Sequence, residues 1–389
     1  MDKIIPYGKQ FIDNSDVNFA IEVIRSDWLT QGPRVKEFEN AFAEYCGVKF
    51  AIAVSSGTAA LHLAALAAGF EYGDEAITTP ISFVATANCL LYVGAKPIFA
   101  DIDYNNINID PKQIQNKITE KTKAVIPVHF AGLPADLPSI YETAQKNKLI
   151  VIEDACHALG ADYFADGKWH KVGSCEHSDM AVFSFHPVKL MTTGEGGMIT
   201  TNGEKLYEKL CALRSHGIYK DEETAAEGAW CYDMRELGFN YRLTDFQCAL
   251  GISQLKKVGL FLNRRRMIAE RYNEAFAELQ PRIKLPFYDL GKYNPAWHLY
   301  ILRLADDYLI SKRRQIFDEL HEKNIKVQIH YRPINRNSYY QKLGYDAEKY
   351  INADRYYSEC VSLPIYYSLT DDEQGYLIEN VKSIIKKFC

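Results

Sequence analysis

Four short segments of the 389-residue chain carry residue types suited to chemistry on a small anionic ligand. Ser55-Ser56-Gly57-Thr58-Ala59-Ala60 follows an apolar run, Ala51 to Val54, and reads as the opening turn of a helix. Free backbone N–H groups at a helix start, flanked by side chains small enough to admit an anion, can cradle a phosphate. The same residues also suit a plain N-cap, and they match neither the Walker pattern nor G-x-G-x-x-G. Asp154 stands at the carboxyl end of a second apolar run, Leu149 to Glu153, where α/β sheets place their ligands. Its carboxylate could hold a cationic ring nitrogen, or cap the following helix; His157 could share its face. Lys189 ends Phe183-Ser184-Phe185-His186-Pro187-Val188-Lys189, just before Thr192-Thr193-Gly194-Glu195-Gly196-Gly197. Among these aromatics and glycines the amine reads as buried, and desolvation lowers a lysine's pKa and makes it nucleophilic. Thr79-Pro80-Ile81-Ser82-Phe83 sets an aromatic ring at another strand end, as core residue or as platform for a flat ligand.

A phosphate cradle, a stacking ring, a carboxylate for a pyridinium and a lysine able to form a Schiff base are the parts that pyridoxal phosphate (PLP) requires. Such parts converge only if an ordered sheet brings distant segments together. Seven short apolar runs do so here: 51–54, 75–79, 97–101, 124–129, 149–153, 180–185 and 197–201, separated by helical stretches or loops. This alternation predicts an α/β fold with a mainly parallel, buried sheet. Ahead of it lie helical patterns at 15–25 and 35–46, broken at Thr30-Gln31-Gly32-Pro33. After about residue 250 come a long charged helix (260–279), a strand (298–304), a helix (311–324), a strand (326–330) and a closing helix (371–388). We expect a large α/β domain over 1–255, carrying the N-terminal helical segment, and a small α+β domain over 256–389.

Composition narrows the function classes. Lys+Arg number 45 and Asp+Glu 50, a formal charge of −5, without the basic stripe of a nucleic-acid binder. Arg264, Arg265 and Arg266 read as a solvated helix face. No run approaches the roughly 18 apolar residues of a membrane span, and MDKIIPYGKQ lacks a signal-peptide pattern, so a cytoplasmic protein is expected. Nine cysteines, from Cys46 to Cys389, form no C-x-x-C pair; Cys175 and His177 are close, but no second pair completes a metal pattern. Most of these cysteines suit buried apolar positions, Cys156 being a weak nucleophile candidate.

The order SSGTAAL, TTPISFVATAN, EDACHALGA, FSFHPVK, TTGEGG, LRSHG and GFNYRLTDFQCALG spans essentially the whole chain. It resembles the DegT/DnrJ/EryC1/StrS family of PLP-dependent sugar aminotransferases, of fold type I (aspartate aminotransferase-like), with a mostly parallel seven-stranded sheet. WLTQGP, TPISFVATAN and HYRPI further resemble members that aminate a UDP-linked 4-keto-6-deoxy-L-sugar in pseudaminic acid formation. The resemblance implies that Lys189 holds PLP covalently and shuttles the proton, that Asp154 pairs with the pyridine nitrogen, and that Phe83 stacks on the ring. It places His157 near the ring hydroxyl and Gly57, Thr58 and Ser184 on the phosphate. Asn240 matches the residue that reaches the neighbouring subunit's phosphate, implying a homodimer with shared sites. For the sugar nucleotide it points to Tyr7, Trp28, Leu29, Thr30, His330, Tyr331, Arg332 and Pro333, the Arg332 fork suiting a diphosphate. Glutamate as amino donor is likewise implied by the family alone. The alternatives are a D-configured UDP- or dTDP-ketosugar, or a non-catalytic PLP-binding regulator. The family's dehydratases carry a His where this chain has Lys189.

Overall fold

The computed structural model describes residues 4–287, 289–345 and 349–388; Cys389 lies outside the described residues. Seven strands form the central sheet: β1 (Phe50–Val54), β2 (Glu75–Thr78), β3 (Lys96–Phe99), β4 (Thr122–Ile126), β5 (Ile150–Asp154), β8 (Met180–Ser184) and β9 (Gly197–Thr201). Their spatial order is β1-β9-β8-β5-β4-β2-β3. Neighbours from β3 to β8 pair in parallel, and β9 runs antiparallel to both β1 and β8. Helices cover both faces, so the strands are apolar on both sides, and all five residues of β9 are buried. The seven strands expected for the large sheet are thus all present, and the fold is the expected α/β fold with a mostly parallel seven-stranded sheet.

The first helices are α1 (Asn14–Ile24), α2 (Pro33–Cys46), α3 (Gly57–Ala67), α4 (Ala85–Tyr92), α5 (Pro111–Gln115), α6 (Leu137–Asn147), α7 (Glu204–Arg214) and α8 (Glu222–Glu227). α3 is small and apolar on every side because it is covered on every side, and nine of its residues are buried. Ser56 is its N-cap, its Oγ accepting from the Ala59 N–H at 3.0 Å. Pro33 opens α2, and Gly47 closes it at φ 70°, a left-handed conformation that favours glycine. Arg214 pairs with the buried Glu39 at 2.5 Å and donates to the Ala53 carbonyl, tying α7, α2 and β1 together.

A hairpin absent from the sequence reading, β6 (Asp162–Ala165) and β7 (Lys168–Lys171), leaves the sheet between β5 and β8. Its turn is Asp166-Gly167, both at positive φ, the dipeptide that suits a tight hairpin. A two-stranded pair, β10 (Ile218–Tyr219) and β11 (Asp233–Met234), follows α7. Two helices, α9 (Asp245–Leu255) and α10 (Val258–Phe276), lead into the C-terminal part. There β12 (Ile283–Lys284), β14 (Tyr300–Leu304) and β15 (Cys360–Leu363) form an antiparallel sheet, while β13 (Tyr293–Asn294) pairs with β6. The remaining helices are α11 (Asp307–Glu322), α12 (Ser338–Lys342), α13 (Ile351–Glu359) and α14 (Asp371–Lys387).

α10 serves two cores. Val258 and Leu262 pack with the large sheet's helices, whereas Ile268, Ala269, Tyr272 and Phe276 pack with β14 and α14. Two expectations are corrected here. Residues 326–330 form no regular strand, only isolated bridges from Ile325 to Ile5 and from Gln328 to Ser362. Arg265 is not solvated: it is buried and donates to the Trp297 and His298 carbonyls at 3.0 and 3.1 Å. Ile5 is buried in the second core, so the chain's beginning packs with its end.

Candidate active site

The carboxyl ends of β1, β5 and β8 and the start of β9 meet at one point of the sheet, because Val54 and Ser184 both lie opposite Gly197 in the ladders. A Cβ on Gly197 would stand 2.5 Å from the Ser56 carbonyl oxygen, and one on Gly57 would stand 2.9 Å from Ser184 Cβ. Glycine at both positions therefore lets the start of α3 sit tight against the strand ends. Above this point opens a cavity of about 440 Å³. Its walls include Gly57, Thr58, Phe83, Asp154, His157, Ser184 and Lys189 from the large sheet's side, and Tyr7, His330 and Tyr331 from the other.

Asp154 is buried and accepts from Thr86 Oγ1 at 2.6 Å and from the Cys156 N–H at 3.2 Å. Ser82 lies 2.7 Å from the same Thr86 hydroxyl, so a short relay fixes the carboxylate. Next to it, Glu153 points to the far face, where His129 Nε2, the Gly173 N–H and the Ser178 hydroxyl satisfy it. These opposite bonds leave β5 little freedom to shift along its axis.

Lys189 is partly open to the cavity, and protein packed around it lowers its pKa from the ordinary lysine value, against the opposing pull of Cys156 and Asp154. His157 is buried against His298, ring centroids 4.2 Å apart, and its Nε2 lies 3.3 Å from the Tyr331 hydroxyl. Burial first, then the charges of Lys189 and His330, hold His157 well below 6.5, so its ring is neutral. Burial pushes Tyr331 up, so its O–H donates to His157 Nε2. His157 Nδ1 is buried without a hydrogen-bond partner among the described residues. His330 Nδ1 is 2.8 Å from Ser362 Oγ, and burial, followed by the charge of Lys189, lowers its pKa to about 4. Phe83 is 56% exposed, its ring 6.4 Å from that of Tyr331.

The structure does not bring every expected residue to this cavity. Asn240 is exposed and outside it, although its neighbour Tyr241 accepts from the Ser55 N–H at 2.8 Å. Trp28, Leu29 and Thr30 are exposed on the loop between α1 and α2, which is fastened to the start of α9 by a Thr30–Thr244 bridge and an Asp245 N–H to Leu29 O bond. Arg332 folds back onto its own loop, donating to the Arg336 carbonyl at 2.6 Å, and Pro333 is buried behind it. Conversely, Thr86, Ser82 and His298 were not picked out as site residues. Thr86 sits one helical turn beyond Phe83 in TPISFVATAN, a spacing that could have flagged it, whereas His298 carries no local signal.

The chemistry of this donor set fits PLP. Gly57 lets the start of α3 approach Ser184 closely, so that its N–H groups and the Ser184 hydroxyl border the same cavity, Asp154 is a buried and oriented carboxylate, and Lys189 is a desolvated amine. The buried, unpartnered Nδ1 of His157 leaves one polar group still to be satisfied.

Comparison with known proteins places this geometry. The model of the DegT/DnrJ/EryC1/StrS aminotransferase family matches residues 10–382. Over 387 residues the chain is 40% identical to the spore coat polysaccharide biosynthesis protein SpsC of Bacillus subtilis, covering 98% of this chain and 97% of that protein. It is 38% identical over 387 residues to the UDP-4-amino-4,6-dideoxy-N-acetyl-beta-L-altrosamine transaminase of Campylobacter jejuni, covering 99% and 98%. Among solved structures, Helicobacter pylori PseC, an aminotransferase involved in the biosynthesis of pseudoaminic acid, matches with a TM-score of 0.91 and 34% identity over 99% of this chain and 100% of that one. Streptococcus pneumoniae Spr1654 in its PLP-form matches with a TM-score of 0.92 and 29% identity over 100% of both chains. PLP is the cofactor of this enzyme, and the chain is a sugar aminotransferase belonging to the DegT/DnrJ/EryC1/StrS family.

Proposed function

We propose that the enzyme transfers the amino group of glutamate to the C4 ketone of a UDP-linked 4-keto-6-deoxy-2-acetamido-L-hexose, giving UDP-4-amino-4,6-dideoxy-N-acetyl-β-L-altrosamine, as in the pseudaminic acid pathway. The observation that carries this reading is the 38% identity, from end to end, with the Campylobacter jejuni transaminase. The 40% identity with SpsC favours a second reading, amination of a different nucleotide-linked ketosugar for another polysaccharide.

When bound, PLP supplies a conjugated ring that draws electron density away from the carbon bearing the amino group. The protein does the rest. The Gly57 and Thr58 N–H groups at the start of α3, with the Ser184 hydroxyl, would hold the phosphate. Asp154, steadied by Thr86, would hold the ring nitrogen's proton. Phe83 would pack on the ring, and His157, oriented by Tyr331, would hold its hydroxyl. Lys189 is the catalytic residue: its desolvated Nζ takes the proton from the carbon of the amino donor and delivers one to C4 of the sugar, which a lowered pKa favours near neutral pH. Tyr7, His330 and Tyr331 form the wall on which the sugar rests.

Trp28, Leu29, Thr30, Arg332 and Asn240 act, in this reading, across the interface of a cytoplasmic homodimer, with the buried Pro333 shaping the loop that carries Arg332. Trp28, Leu29, Trp230, Met234 and Leu237 are exposed large apolar side chains of the kind that subunit interfaces bury. The test is direct: UDP-4-keto sugars of L-arabino and D-xylo configuration are each offered with glutamate, and NMR identifies the product. Amination of the L-arabino ketone alone supports the reading; amination of the D-xylo ketone alone overturns it.

A further inference from the structure

The hairpin turn that the sequence reading missed brings together three metal-ligating side chains, none of which lines the cavity described above. Asp166 lies in the β6–β7 turn, His170 in β7, and His177 in the loop entering β8. One ligand atom from each lies within 4.8 Å of the others. Spacing alone could not show this, because Asp166 and His170 reach His177 only through the fold of the hairpin. Cys175, the neighbour that drew attention in the sequence, turns away, its Sγ 3.4 Å from the Thr200 carbonyl oxygen.

The surroundings of the two rings are those of ligands rather than of free surface histidines. Both are buried, while the Asp166 carboxylate is exposed and gives an ion a way in. His177 Nδ1 is 2.9 Å from the Tyr163 hydroxyl, and its Nε2 faces Asp166 Oδ2 at 3.2 Å. His170 Nε2 is 3.2 Å from the Ala165 carbonyl oxygen, which it meets as a donor, leaving the lone pair on Nδ1. Each ring thus has one nitrogen fixed by an outer partner, the arrangement that orients histidines bound to metals. Two arrangements satisfy these contacts: Tyr163 donates to Nδ1 while Nε2–H donates to the carboxylate, or Nδ1–H donates to Tyr163 and the Nε2 lone pair and the carboxylate together face a metal ion. Tetrahedral zinc, with bonds of about 2.0–2.1 Å, needs ligand atoms about 3.3 Å apart. The Asp166–His177 separation already meets this, and the others need close by at most about 1.5 Å.

We propose that Asp166, His170 and His177 bind a divalent transition metal of the zinc class, with water as fourth ligand, pinning the β6–β7 turn to the loop that enters β8. The experiment uses the untagged, PLP-loaded enzyme and zinc chloride alone. Calorimetry is expected to show one high-affinity zinc per chain. Crystals soaked in zinc should give an anomalous peak between the three side chains. His177→Ala should weaken that binding by at least about tenfold to a hundredfold and remove the peak, as should Asp166→Asn, whose exposed turn position spares the fold. Transaminase activity of the Asp166→Asn variant should match that of the parent enzyme. Absence of a peak at this position, or equal zinc affinity in the parent and Asp166→Asn proteins, overturns the proposal.

Discussion

Replacing Thr86 by valine removes one hydroxyl while keeping the shape of the side chain, and it isolates what orients Asp154. The Thr86 hydroxyl donates to a buried carboxylate at 2.6 Å and lies within 2.7 Å of Ser82 Oγ. A hydrogen bond to a charged group contributes about 1.5–3 kcal/mol and a neutral one about 1 kcal/mol. Valine should therefore cost the free protein roughly 2.5–4 kcal/mol. Unfolding entropy of about 2.1 cal/mol/K per residue amounts to about 0.8 kcal/mol/K for this chain, so Tm should fall by roughly 3–5 °C. The Cys156 N–H still holds one carboxylate oxygen, so Asp154 remains in place but loses its fixed orientation. If that loss costs about 1.4 kcal/mol in the loaded enzyme, PLP binds about tenfold more weakly. Thermal melts of the PLP-free protein and a fluorescence titration with PLP measure the two effects, and Thr86→Ser, which keeps the hydroxyl, should restore the affinity. Unchanged PLP affinity in Thr86→Val, or equal losses in the serine and valine variants, would refute the orienting role.

Lys189→Ala should retain PLP without a covalent link and lose at least about 10²–10⁴-fold in turnover; borohydride treatment followed by peptide mass mapping should find a pyridoxyl group on Lys189 in the parent enzyme and none in the variant. Mixed dimers of Lys189→Ala and Asn240→Ala subunits should regain one competent site, and failure of the mixture to exceed either homodimer argues against site sharing. Acidification should destabilise the PLP-free protein. The folded pKa of His330 is lowered to about 4 from the ordinary 6.5, so its stabilising contribution is complete above about pH 6.5 and is lost as pH falls towards 4. At 1.36 kcal/mol per unit the loss is roughly 3 kcal/mol, and urea midpoints should fall less with acidification in His330→Asn than in the parent.

The strands of the sheet were legible because each is a run of apolar residues with helices to bury both faces, and the residues proposed to hold the cofactor could be singled out because they sit at the ends of those runs. Gly57, Asp154, Ser184 and Lys189 lie at or just beyond the ends of β1, β5 and β8, which the sheet gathers on one side in the order β1-β9-β8-β5. His298 was not legible, since it reaches His157 from 141 positions away along the chain and shows no pattern of its own. The hairpin at 162–171 was overlooked although Asp166-Gly167 marks its turn, because its strands are half polar and stand outside the sheet. The three consecutive arginines misled for a geometric reason: successive residues on a helix point about 100° apart, so one of them, Arg265, faces inward. Trp28 and Arg332 match family motifs, yet within one subunit they stand away from the cavity.

Ile5 bridges to Ile325, and the Tyr7 carbonyl accepts from the Ile365 N–H at 3.1 Å. The cavity wall formed by Tyr7, His330 and Tyr331, proposed to face the sugar, is thus assembled from segments far apart in the polypeptide. A cassette cut at residue 256 and exchanged between two members of the family would carry His330 and Tyr331 but leave Tyr7 behind with the recipient. Specificity should therefore be transplantable only when residues 4–8 travel with the C-terminal portion, and chimaeras made without them should pair one parent's tyrosine with the other parent's pocket.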